Sequence, residues 1–172
     1  MPASPDVIRD LFVIGLKDAH ALENQALALI NRQLDRLESY PDVAQRLQQH
    51  KAETDGHIQR VEQILSSLDE SHSSLKDAAL SLTGNLAALA HTVAGDEILK
   101  NSFASFAFEN FEAASYTGLV TLAEAGSFTS AIPLLRQTLD EELAMAKWLQ
   151  DHLPSVTKRF IELKSAGVQA SH

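Results

Sequence analysis

The sequence predicts an all-α protein, a four-helix bundle with a long crossover between two helical hairpins. Three observations carry that prediction. Of 172 residues, 45% are hydrophobic but only 6% aromatic, and Ala and Leu supply most of the apolar content, a composition that favours helix over strand. Apolar residues recur at alternating three- and four-residue spacing through long stretches, the period of a helix with one buried face. Matching tetrapeptides, Ala21-Leu22-Glu23-Asn24 and Ala107-Phe108-Glu109-Asn110, place a carboxylate in the middle of two such stretches, as two hairpins related by a pseudo-twofold axis require. The length suits one domain with a real core. We assign residues 1–153 to the bundle and 154–172 to a partly helical tail.

The first helix starts after Ser4-Pro5-Asp6, with Ser4 or Asp6 as cap, and runs to about Glu38 before Tyr40-Pro41 stops it. Its stripe reads Leu16, Ala19, Glu23, Ala26, Ile30, Leu34, Leu37. The second begins near Pro41-Asp42, where proline is accepted in a first turn, with the stripe Val43, Leu47, His50, Thr54, His57, Val61, Ile64, Leu68. A polar connector, Asp69 to Ser74, leads into a short helix from Leu75 to Gly95 that carries no inward charge. The next long helix opens at Asp96 and passes through Phe103, Phe106, Glu109, Ala113, Thr117 and Val120 to Gly126. The last starts between Ser127 and Ser130, accepts Pro133 early, buries Leu135, Leu139, Glu142, Ala146 and Leu149, and breaks at His152-Leu153-Pro154. The stretch from Asp69 to Gly95 is far longer than a hairpin needs, so it should cross the length of the bundle.

Composition excludes several classes of function. The net charge is −9 and the basic residues are scattered singly, which argues against nucleic acid or an anionic membrane as partner. With no cysteine there is no disulfide, no Cys-ligated zinc and no rubredoxin-type iron. No stretch approaches the roughly 20 apolar residues that span a bilayer, and no signal-like start is present. A cytoplasmic protein is the expectation. Phosphate-binding glycine loops, nucleophile elbows and His-Glu-x-x-His motifs are also missing.

All four long helices carry charge inward, and buried charge needs partners. Four carboxylates, Glu23, Glu53, Glu109 and Glu142, are balanced by two divalent ions, to which histidine adds neutral nitrogen donors. His50, Glu53 and His57 rise by about 4.5 and 6 Å along one side of the second helix, within reach of a metal pair roughly 3.5 to 4 Å apart. Glu112, three residues after Glu109, reaches the same place, and Glu141 stands as substitute for Glu142. The plainer readings are that Glu53 is an edge residue beside Arg46 and Arg60, and that either histidine is a core residue bonded to a backbone carbonyl. Trp148 and the run Phe103, Phe106, Phe108, Phe111 read as core packing or a subunit contact; His20, His72, His91, His152 and His172 look incidental.

Four segments carry a resemblance: Leu11-Phe12 through Lys17-Asp18-Ala19-His20-Ala21-Leu22-Glu23, His50-Lys-Ala-Glu53-Thr-Asp-Gly-His57, Phe108-Glu109-Asn110-Phe111-Glu112-Ala-Ala-Ser-Tyr116 and Gln137-Thr-Leu-Asp-Glu-Glu142. Together, over about residues 8–150, they resemble the YciE/YciF family of ferritin-like stress proteins. Two departures stand out: Asn110 where the family often has His, and His57 where it often has Gln. The resemblance implies a ferritin-like bundle, a di-iron or related metal centre, a homodimer and a role in stress response, but no known reaction. The expected cofactor is iron, two ions per chain, with manganese or zinc as other occupants, held by Glu23, His50, Glu53, His57, Glu109, Glu112 and Glu142.

Two functions follow as expectations. One is a non-haem di-metal protein that meets peroxide or dioxygen, in which Glu109 or Glu142 bridges, Glu23 and Glu53 cap, and Tyr116 lies nearby as a redox or hydrogen-bonding group. The other is a non-enzymatic helical stress protein whose metal is structural or absent. A storage cage is the weaker third, since nothing in the sequence specifies a large shell.

Overall fold

The computed structural model describes residues 4–70 and 95–171, which form the helices α1 (Pro5–Leu34), α2 (Pro41–Ser67), α3 (Glu97–Ala125) and α4 (Ile132–Ser165). No strand occurs among the described residues. The short helix expected from Leu75 to Gly95 lies outside them, apart from Gly95 itself. Proline opens α1, α2 and α4 within the first two positions, where its missing N–H costs nothing and its fixed φ suits the helix. None of the four N-cap side chains, Ser4 and Asp96 included, makes a capping hydrogen bond to the first turn of its own helix.

The ends of the helices fix the topology. Arg9 and Lys17 of α1 reach Glu70 just beyond α2, whereas Arg36, after α1, grips Glu97 at the start of α3 with two bonds of 2.7 Å. So α2 finishes at one end of the bundle and α3 begins at the other, and the connection between them spans its length. α1 packs on α2 and α3, and α4 packs on α3 and α2, closing a square. This is a ferritin-like four-helix bundle. At Gly15 a Cβ would lie 2.9 Å from Cδ2 of Leu119 on α3, so that side chain would have to shift.

Apolar side chains collect in one layer at each end of the bundle, with a smaller third cluster of Leu22, Ala26 and Phe108. At the end where α2 finishes, Phe12, Leu16, Val61, Leu65, Leu119 and Leu135 are buried together, with Phe12 stacked on Phe128. At the other end Ile30, Leu37, Tyr40, Leu47, Ile98, Met145 and Leu163 form a second layer. Between the two lies a belt of buried Glu and His.

Several elements differ from the sequence expectation. α1 stops at Leu34 rather than near Glu38, and Leu37 and Tyr40 are buried from the connector instead. α3 does end where expected, at Ala125 with Gly126 as its C-cap, and Ser127 beyond it is left-handed at φ 58°. The stripe on α3 was misplaced in its first half: Phe103 and Phe106 are exposed, as is Phe111, while Phe108, Glu109, Glu112 and Tyr116 face inward. That helix is apolar on more than one side, so periodicity could not select its buried face. α4 does not break at His152-Leu153-Pro154 but continues to Ser165. Hydroxyls of Ser155 and Thr157 bond the carbonyls of His152 and Leu153 at 2.7 and 2.8 Å, and Val156 and Leu163 beyond the proline are buried in the second apolar layer, which offsets the lost backbone bond.

The chain's end is fastened by Tyr40, whose hydroxyl donates to the carbonyl of Ala170 at 2.6 Å, and by the N–H of Ile98, which donates to Ser171 at 2.9 Å. Tyr40→Phe leaves a buried carbonyl short of a donor, so urea unfolding should show a loss of about 1 kcal/mol. Hydrogen exchange should rise in residues 160–171 and stay unchanged around Glu23.

Candidate metal centre

Each helix contributes to the charged belt through residues on its inner face. α1 gives Glu23, α2 gives His50 and His57 two turns apart, α3 gives Glu109 and Glu112 one turn apart, and α4 gives Glu142. Five of these six are at most 1% exposed, and Glu109 is 4% exposed. Their donor atoms converge in two groups, Glu23 with His57 and Glu142, and Glu109 with His50 and Glu142. Glu142 belongs to both, which makes it the carboxylate placed to bridge. These are two buried His/Glu clusters able to coordinate metal.

Geometry within the groups shows atoms close together but poorly bonded. Nε2 of His50 lies 3.0 Å from Glu109 and 3.7 Å from Glu142, and Nδ1 of His57 lies 2.8 Å from Glu142. Most of these approaches are out of line for hydrogen bonds: His50 Nε2, Glu109 Oε2 and both oxygens of Glu142 lack an aligned partner. Glu112 is the extreme case, fully buried with neither oxygen bonded to anything. Buried carboxylate oxygens seldom stay unpaired in native proteins, and a shared cation supplies the partner that this belt lacks. The donor set of four carboxylates and two imidazoles fits a pair of divalent ions.

Around this inner set lies an outer one that faces the other nitrogen of each histidine. Nδ1 of His50 meets Glu53 at 2.9 Å, and Arg46 bonds Glu53 at 3.0 Å. Nε2 of His57 meets Glu141 at 2.8 Å, and Arg60 bonds Glu141 at 2.7 and 3.2 Å. Both imidazoles are therefore held by a carboxylate that an arginine neutralises, with one nitrogen left to face the cluster. Nδ1 of His57 also meets Glu23 at 3.2 Å, and the hydroxyl of Tyr116, itself buried, donates to the other oxygen of Glu23 at 2.6 Å. Thr54 sits between the two histidines, fully buried, its hydroxyl bonded to the His50 carbonyl.

The electrostatics follow from burial without bulk water. Desolvation opposes the charged form of both histidines, yet the flanking carboxylates outweigh it and hold each at about 10. Burial pushes Glu112 well above the usual carboxylate range, and the charges of Glu142, Glu23 and Glu109 push the same way. Glu142 is raised to about 7, first by burial and then by Glu109 against the pull of His57. Glu53 goes the opposite way: burial opposes it, but His50 and Arg46 hold it at about 2. Without metal the belt is thus closed by protons, and with metal the same positions are free to exchange protons for cations.

Six of the seven sequence candidates meet in the belt. Glu53 does not: it lies outside both clusters, against the far nitrogen of His50. The Arg46–Glu53 pair agrees with the plainer sequence reading of Glu53 as an edge residue, whereas Arg60–Glu141 joins two helices and no spacing within one helix reports it.

Comparison with known proteins agrees with this architecture. Residues 7–162 match the family model described as "Domain of unknown function (DUF892)". The chain is 31% identical over 147 residues to protein YciF of Escherichia coli K12, an alignment covering 80% of this chain and 84% of that one. A crystal structure of a Xanthomonas campestris protein superposes with a TM-score of 0.77 and 28% identity, over 92% of this chain and 99% of that chain. The crystal structure of the E. coli stress protein YciF superposes with a TM-score of 0.67 and 28% identity, over 85% and 94% of the two chains.

Because Glu112 is buried without a partner, Glu112→Met, close in size and with no N–H or oxygen to leave unpaired, should raise the unfolding free energy of metal-free protein by about 1–3 kcal/mol. Urea titration in the presence of chelator measures this, and a loss of stability instead would mean that the carboxylate is satisfied.

Proposed function

The chain belongs to the DUF892 family, the YciE/YciF group of ferritin-like proteins, and from that membership and the charged belt we propose that it is a di-metal carboxylate protein, with iron as the metal. The unpartnered, fully buried carboxylate of Glu112 is the observation that carries this reading. In it, Glu23 and His57 hold one ion, His50 and Glu109 hold the other, and Glu142 is shared, with Glu112 on hand to both. Four carboxylate charges cancel two divalent cations, whereas Glu53 and Glu141 are already balanced by Arg46 and Arg60. A bound iron pair supplies one-electron chemistry towards peroxide or dioxygen.

This chain's own residues have definable tasks in that setting. Glu53 and Glu141 turn the imidazoles so that Nε2 of His50 and Nδ1 of His57 face inward. Tyr116 holds a proton against Glu23 and fixes the orientation of that carboxylate. The apolar layers on either side keep bulk water from the belt. The proposal extends to a role in stress response, which is the description carried by the similar YciF, and to a homodimer. Exposed Val7, Leu11 and Ile14 of α1, with Phe103, Phe106 and Phe111 of α3, give large apolar surface for a second copy to cover.

A non-enzymatic structural role is the second reading, and one observation favours it. Each histidine already lies between carboxylates that hold it protonated, so protons alone can close the belt.

Metal analysis after anaerobic ferrous loading separates the two. About two ions per chain are expected, with both lost in Glu142→Ala and about one lost in Glu23→Ala while circular dichroism keeps its helical signal. Bound metal near zero in the unaltered protein would overturn the di-metal reading and leave the structural one.

A further inference from the structure

A cavity of about 50 Å³ lies between α1 and α3 and reaches the belt at one residue, Glu109. Apolar walls come from Ala26, Leu29 and Ile30 of α1, Leu47 of α2, and Ala104 and Phe108 of α3, and the lining also includes Arg32, Glu97 and Asn101. Towards the outside it meets polar side chains, where Gln33 of α1 donates to Ser105 of α3 across the gap at 3.3 Å. Two further cavities, one beside Gly15 and Phe111 and one beside Tyr40 and Trp148, have no inner cluster residue in their lining.

A second observation points to the same place. Glu23, His50, His57, Glu112 and Glu142 are sealed at 0–1% exposure, and the surface that the belt retains belongs to Glu109, at 4%. Whatever small molecule meets the cluster from outside therefore arrives at Glu109. We propose that this cavity is a docking site for a neutral molecule of two or three heavy atoms, placed beside the Glu109 half of the centre. The inference rests on the di-metal reading for its purpose but not for its existence.

The choice of ligand follows from size and polarity. A space of this volume exceeds what one water needs but excludes any organic substrate of ordinary size. Dioxygen, small and apolar, loses little on entering the alkyl and phenyl part of these walls. The cavity suits a molecule of dioxygen size.

Xenon, a neutral apolar probe, tests the site without any metal. Xenon-pressurised crystals of the full chain should show the atom beside Phe108 and Ala104, and Ala104→Phe, which fills the space from a partly exposed position, should abolish it. In ferrous-loaded protein Ala104→Phe should slow oxidation by dioxygen at least about tenfold while bound iron at equilibrium stays at the unaltered value. Ala28→Phe, the same change at an exposed position of α1 outside the cavity lining, should keep xenon and not slow oxidation. Absence of xenon from the unaltered protein, or an oxidation rate in Ala104→Phe equal to the unaltered one, would overturn the proposal. If the protein takes up no iron, the di-metal reading fails, and xenon occupancy alone then decides for or against the cavity.

Discussion

Four carboxylates in the centre of a helical bundle are the constraint on which the rest of this structure depends. Glu23, Glu109, Glu112 and Glu142 are each cut off from solvent, or nearly so, by four apolar helix faces. Isolated charges in such a setting cost far more than a single domain's net stability. The belt must therefore be neutralised from within. Two imidazoles and shared protons do this within the chain, and the two His/Glu clusters are able to take metal in their place. The belt accordingly holds many close but misaligned contacts.

The apolar layers and the outer ion pairs are best understood as consequences of that constraint. With polar groups concentrated in the middle, hydrophobic burial is divided into one layer at each end of the bundle, and each must be large enough to hold four helices together. The tail completes the second layer by passing Pro154 and burying Val156, Leu163 and Ala170. Arg46 with Glu53 and Arg60 with Glu141 add no net charge. Their effect is on direction, since they occupy one nitrogen of each histidine and leave the other for the centre.

Compared with the usual helix-borne di-metal arrangement, in which two helices each carry Glu-x-x-His, this chain is uneven. On α2 the corresponding places are Thr54 and His57, and on α4 they are Glu142 and Met145, all four buried. His50, four residues before Thr54, and Glu112, three after Glu109, restore the missing donors from other positions. The count of carboxylates and imidazoles is preserved although their distribution over the helices has changed. Asymmetry between the two halves follows directly, with one His/Glu cluster built on Glu23, to which Tyr116 is bonded, and the other on Glu109 beside the cavity.

By itself the sequence determined the helices, the crossover and six of the inner residues, because periodicity reports which positions share a helix face and a charge on an apolar face is conspicuous. The stripe on α2 was legible almost residue for residue, from Val43 through His50, Thr54 and His57 to Ile64. On α3 the sequence was ambiguous, since Phe103, Phe106 and Phe111 make several faces apolar and only packing against α1 and α4 selects the face with Glu112 and Tyr116. Glu53 and Glu142 look alike as single letters, and tertiary structure separated them: one is neutralised by an arginine at the rim, the other is held among carboxylates. Helix spacing fixes which residues can meet, but the partner that each buried charge finds depends on neighbouring helices, and that is a property of the fold alone.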